Sequence, residues 1–141
     1  MEVFCQGEDI KKLIPQREPI MQVDTLFYKK ENEACCGLTI LPDNIFCRQG
    51  YFTEPGLIEH IAQSSAAMSG YDFFINNQPA PLGFIAEIKK MNIYSSPQIG
   101  EKLQTKLMIV SKIENMALVK AETYVGDKLV VDCQMKIFIK Q

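Results

Sequence analysis

Between residues 83 and 140 apolar and polar positions alternate in four long runs. GFIAEIKKMNIY, KLQTKLMIVSKIE, MALVKAETYV and KLVVDCQMKIFIK are separated by PQIG, EN and GD. A period of two marks strands with one face buried, and Gly-Asp is a hairpin-type turn signal. Upstream, IMQVDTLFY and ACCGLTI, within residues 20–40, are two more strand-like runs joined by the charged turn KKENE. They predict a hairpin. EDIKKLI, residues 8–14, predicts a short helix that Pro15 stops, and PDNIFCRQGYF reads as a loop opened by turn formers.

The remaining segment, EPGLIEHIAQSSAAMSGY at 54–71, is different. Thr53 suits an N-cap, Pro55 sits in the first turn where its missing N–H costs nothing, and Gly70 or the residues just after it can end a helix. Between them only Glu59, His60 and Gln63 are strongly polar. A helix with so thin a polar face is buried, and its small residues let a sheet approach closely. Adjacent Cys35 and Cys36 alternate faces in a strand, which predicts one in the core and one at the surface. The order of elements fits an α+β chain, a single domain over 1–141, in which a long curved antiparallel sheet of six strands wraps around one buried central helix. This is the hotdog arrangement.

Composition narrows the function. At 141 residues the chain can bury one core without staples. With 47% hydrophobic residues, 23% charged and a formal net charge of −2 it has no basic stripe, so nucleic acid is not an expected partner. The start, MEVFCQGEDIKK, is unlike a signal peptide, and there is no apolar run long enough for a membrane span. Five cysteines without a C-x-x-C pair, and a single histidine, make a zinc site improbable and suit free thiols in a reducing cytoplasm. No metal or redox cofactor is expected.

Candidate chemistry lies on the buried helix. Glu59, held in apolar surroundings, would keep a proton near neutral pH and act as a general acid. A helix-end acid favoured by the dipole is the plainer reading. His60 points roughly 100° away round the helix, so the pair cannot aim at one atom from one chain. It is either a packed or interface histidine, or a catalytic one that approaches Glu59 across a two-fold axis. Gln63 is one turn after Glu59 on the same face and can orient it or contact substrate. Met68, Phe73, Phe74 and Phe84 are read first as core, and otherwise as walls of an acyl tunnel.

Several motifs in order resemble the β-hydroxyacyl-acyl carrier protein dehydratases of the hotdog superfamily, the FabZ/FabA-like type. LIPQREPIMQVD is similar to that family's L-x-P-H-R-x-P-x-x-x-V-D, with Gln16 in place of histidine. QGYF resembles Q-G-H-F-P, with Tyr51 for histidine and Thr53 for proline, and EHIAQ resembles E-A-x-A-Q. IKKMNIYSSPQIGEKL is similar to the strand ending in P-x-x-P-G-D-x-L, and VGDKLVVDCQMKIFI to the closing hairpin. The resemblance implies a site shared by two subunits, in which a histidine base removes the proton beside the thioester carbonyl and a glutamate acid protonates the departing hydroxyl. Glu59 matches the glutamate. Tyr51 stands in the histidine's place, only eight residues before Glu59 and closer than in the family, so the loop is shortened. A phenol, with an ordinary pKa of about 10, is a poor base near neutrality. Chains with a short loop and a retained E-x-x-A-Q resemble the dehydratase-like members encoded with pigment or aryl-polyene synthases.

The resemblance therefore implies a 3-hydroxyacyl-[acyl carrier protein] dehydratase with Glu59 and His60 as catalytic candidates. Gly50, Tyr51, Gly56, Gln63 and Phe84 are candidates for substrate binding, with the Gly56 amide open to an oxyanion role. The substrate would be an acyl thioester on acyl carrier protein or coenzyme A. The implied assembly is a homodimer, or a hetero-oligomer with a paralogue. Two alternatives stay open: an acyl-thioester hydrolase with a lone acid, and a non-catalytic dehydratase-like subunit that binds the carrier protein or lends Glu59 to a paralogue.

Overall fold

The computed structural model describes residues 4–79 and 82–140, side chains at 82–84 and 139–140 excepted. In chain order the elements are β1 (Cys5–Gln6), a 3-10 helix (Gly7–Lys12), β2 (Thr25–Lys30), β3 (Glu33–Thr39), β4 (Cys47–Arg48) and β5 (Tyr51–Phe52). Helix α1 (Glu54–Ile75), β6 (Leu82–Ile93), β7 (Lys102–Ile113), β8 (Met116–Val125) and β9 (Lys128–Lys140) complete the chain. One antiparallel sheet runs in the order β1-β2-β3-β7-β8-β9-β6, seven strands among the described residues where six are expected; the addition is the two-residue β1 beside β2.

The four long alternating runs become β6 to β9. Two tight turns join β7 to β8 and β8 to β9, at Ile113↔Met116 and Val125↔Lys128. Leu103, Thr105 and Leu107 of β7, Val119, Ala121 and Thr123 of β8, and Val131, Cys133 and Met135 of β9 are buried on the inner face. Against it packs α1, whose Leu57, Ile61, Ala67 and Met68 belong to the same core.

Several boundaries differ from expectation for physical reasons. The helix does not end at Gly70; it continues to Ile75 and is capped by Asn76. Gly70 is a point of close approach: a Cβ there would sit 1.9 Å from the Leu13 carbonyl oxygen. The 8–14 helix is a 3-10 turn ending at Lys12, before Pro15 is reached. β2 begins only at Thr25 and the turn to β3 is just Glu31-Asn32, so residues 20–24 are not strand. The loop before the helix contains a small hairpin, β4 paired with β5, closed by Gln49 and Gly50 with φ of 52° and 85°, the left-handed pair of a type I′ turn. Cys35 and Cys36 are both buried, contrary to the one-in, one-out expectation. Cys36 faces the helix, its thiol donating to the Ser64 carbonyl at 3.6 Å. Cys35 lies on the other face between its pairing partners Tyr28 and Lys106, whose long side chains cover it. No described helix is long and apolar enough to cross a membrane.

Candidate active site

Residues 20–24 leave the sheet while remaining packed, so their backbone polar groups need other partners. Arg17, Gly37 and Gly7 supply backbone partners for some of them, and polar residues of α1 serve Gln22 and the Ile20 carbonyl. Gln63, fully buried, accepts the Gln22 N–H on its side-chain oxygen. Its Nε2 donates to the Ile20 carbonyl at 2.9 Å and to Glu59 Oε2 at 2.8 Å. Because the oxygen end must meet an N–H, the orientation of the Gln63 amide is not arbitrary. Both its donors and its acceptor are engaged, so the expected contact with substrate is not open to it.

His60 lies on the adjacent face of the helix and is 0% exposed. Its Nδ1 lies 2.7 Å from the Gln22 carbonyl oxygen and its Nε2 2.8 Å from Thr105 Oγ1, which is 2.7 Å from Thr123 Oγ1. A carbonyl can only accept, so Nδ1 carries the proton and Nε2 accepts from the Thr105 hydroxyl, which in turn accepts from Thr123. Burial pulls the His60 pKa down to about 4, against smaller opposing effects of the Gln22 carbonyl and the Asp24 charge. The imidazole is neutral near pH 7 with no nitrogen left for substrate. Burial and two bonded nitrogens agree with the packed reading of His60 and leave neither nitrogen open to substrate within this chain.

The segment leading into α1 is fixed by short contacts between loops. The Phe52 N–H donates to the Pro97 carbonyl at 2.8 Å and the Ile99 N–H to the Gly50 carbonyl at 3.0 Å. The Pro-Gln-Ile-Gly turn is thereby fixed against β5. Tyr51, opposite Arg48 and bridged to Gln98, is 47% exposed and so sits on the surface. Thr53 occupies the N-cap position, yet its hydroxyl donates to the Phe46 carbonyl at 2.6 Å rather than capping. With Pro55 lacking an N–H and Leu57 bonded back to Thr53 at 3.1 Å, the Gly56 amide is among the N–H groups without an intrahelical acceptor. Gly56 is buried, and a Cβ there would come within 2.7 Å of Phe46 and the Phe52 ring. Glycine is required for that contact whatever else the amide does.

Glu59 is half-buried, and Gln63 is the hydrogen-bond partner of its carboxyl among the described residues. Gln16 is half-buried with its side-chain oxygen lacking a partner among the described groups. Met68 is core, Phe74 is exposed, and Phe73 and Met68 border a cavity of about 60 Å³ with Ile109, Val119 and the Lys29–Asp72 ion pair. Met68 is nine residues beyond Glu59, roughly 180° round the helix. That cavity is on the far side of α1 from the acid and is no continuation of its site. Phe84 pairs with Phe138 in β6; its side chain lies outside the described residues. The clamp on residues 20–22 by His60 and Gln63 was missed in the sequence, although two polar residues on a buried helix imply buried partners.

The long antiparallel sheet packed on one central helix defines a hotdog fold. A family model for ApeP dehydratase, the ApeP-like family, matches residues 8–141. The chain belongs to that family. It is 29% identical over 128 residues to the 3-hydroxyacyl-[acyl-carrier-protein] dehydratase FabZ of Clostridioides difficile (strain 630), covering 87% of this chain and 89% of the relative. The dehydratase heterocomplex ApeI:P from Xenorhabdus doucetiae superposes with a TM-score of 0.85 at 14% identity, covering 94% of this chain and 91% of the other. A hypothetical thioesterase with coenzyme A from Streptococcus pneumoniae TIGR4 reaches 0.64 at 9% identity, over 82% and 84%. At these identities the structural likenesses speak for the fold.

Proposed function

We propose that this chain supplies the proton-donating carboxyl of a 3-hydroxyacyl-[acyl carrier protein] dehydratase site whose base is a histidine of a different subunit. One observation carries the reading: the sole histidine is buried with both nitrogens bonded, while Glu59 keeps a half-buried carboxyl. A symmetric dimer of this chain would have two acids and no available imidazole. A complex with a paralogue bearing the family histidine has both groups, and the family relationship and the heterocomplex superposition support that assembly.

In the proposed reaction the partner's imidazole removes a proton from C2 of the 3-hydroxyacyl thioester. The freed electron pair forms the C2=C3 double bond, the C3–O bond breaks, and the hydroxyl leaves as water with the proton of Glu59. The base ends protonated and Glu59 ends as carboxylate; return of one proton restores both. The Gly56 amide, at the positive end of the helix, would offset charge on the thioester oxygen. The outer edge of β6, paired only on its β9 side among the described strands, supports subunit pairing there. Free thiols suit a cytoplasmic setting.

The test is product analysis with a 3-hydroxyacyl carrier-protein thioester. Enoyl product from the chain with a histidine-bearing partner, lost in Glu59→Gln by about two to four orders of magnitude, is expected for a general acid. Free acid and thiol from the chain alone would establish the hydrolase instead.

A further inference from the structure

His60 does not touch the reacting atoms, yet its position in the network gives it a second consequence. Both backbone polar groups of residue Gln22 are held by side chains of α1: its N–H by Gln63 Oε1 and its carbonyl by His60 Nδ1. The Gln22 side chain continues outward, accepting from Asn44 Nδ2 at 2.8 Å, while Asn44 Oδ1 accepts the Phe46 N–H at 2.9 Å. Phe46 in turn packs where Gly56 opens the helix, and its carbonyl takes the Thr53 hydroxyl. The two groups belong to adjacent peptide units that share the Gln22 Cα, so a displacement of that residue reaches both the His60 bond and the Gln63 bond. The Nε2 donor on Glu59 Oε2 then keeps only the Ile20 carbonyl to orient it.

We propose that His60 is a positioning residue for the dehydration: through Gln22 and Gln63 it fixes Glu59 with Oε2 occupied by an amide donor, leaving Oε1 to carry the transferred proton. The carbonyl-type oxygen of a carboxyl is the better acceptor, so an N–H on Oε2 favours the proton on Oε1. This rests on the proposed role of Glu59 as the acid. It assigns the effect to the Nδ1 bond rather than the Nε2 bond. The Nε2–Thr105–Thr123 chain ties helix to sheet and contributes stability alone.

Asparagine and glutamine separate the two bonds, since an Asn amide reaches where Nδ1 lies and a Gln amide where Nε2 lies. In the complex with the histidine-bearing partner, His60→Gln is expected to lower kcat by about tenfold to a hundredfold with KM little changed, the usual result of a displaced catalytic group. His60→Asn should retain most of the turnover. Thr105→Val, which removes the partner of Nε2 and of Thr123 but leaves the Nδ1 bond, should lower the melting temperature without this kcat loss. Independently of turnover, nitrogen-15 spectra of the chain should show the Gln63 side-chain amide unchanged in His60→Asn and displaced in His60→Gln. Equal kcat values for Asn and Gln at position 60, or a Gln63 amide indifferent to His60→Gln, would overturn the assignment. Absence of turnover in every complex would defeat the proposed function, while the amide spectrum would still decide whether His60 holds Gln63.

Discussion

Acid should destabilise this protein through His60 in a narrow window. The unfolded imidazole titrates near its ordinary 6.5, whereas burial holds the folded one at about 4. Above 6.5 it is neutral in both states and contributes nothing to the pH dependence. Between 6.5 and 4 the unfolded chain binds a proton that the folded chain does not, so stability falls as pH falls. Below 4 both states are protonated and the loss levels off at about 3 kcal/mol, each pKa unit being about 1.4 kcal/mol. By about pH 5 roughly 2 kcal/mol should be gone, which for a chain of this size corresponds to a melting temperature lower by about 7 °C. Carboxylates titrate nearby, so the measurement is a comparison with His60→Gln, whose amide gains no proton. The variant should be less stable by about 1–3 kcal/mol at neutral pH, for the partner left unpaired. Thermal unfolding followed by circular dichroism from about pH 7.5 to 5 should then show the gap between wild type and variant narrowing by about 7 °C. A gap that stays constant would refute a neutral, buried His60, and a gap that widens would mean the folded protein prefers the imidazolium.

Two further outcomes follow from the packing. Gly70→Ala drives a Cβ to 1.9 Å from the Leu13 carbonyl oxygen, so the 3-10 segment must shift; we expect about 1–3 kcal/mol lost in denaturant unfolding, and no change would show that this approach is soft. Native thiol labelling should modify half-buried Cys47 first. Cys36, pushed far up by burial, and Cys133, pushed up to about 11, should react only on unfolding.

Strands β6 to β9 were legible because each is long enough for a period of two to declare itself, and α1 because its apolar run is too long for a strand. β4 and β5 were not, since two-residue strands show no period. Ile20 to Asp24 looked like strand because it carries the apolar alternation of one. At Gln22 its backbone is answered by side chains of α1, an arrangement local pattern does not encode. Gly70 resembled a helix stop because a glycine needed for close approach and one needed for a cap are the same letter. The half-buried setting of Glu59 was legible from its place on a buried helix. The adjacency of His60 misled, because neighbours on a helix face different surroundings: the acid meets the Gln63 amide and the imidazole meets the sheet.

The central claim is that Glu59 provides the acid of a site completed by another chain's histidine. Complementation tests it most directly. A histidine-bearing dehydratase partner with its own helix glutamate changed to glutamine should be inactive alone. Adding this chain should restore conversion of a 3-hydroxyacyl carrier-protein thioester to the enoyl product, and adding Glu59→Gln should not. Equal restoration by wild type and Glu59→Gln, or none by either in a complex that demonstrably forms, would contradict the account.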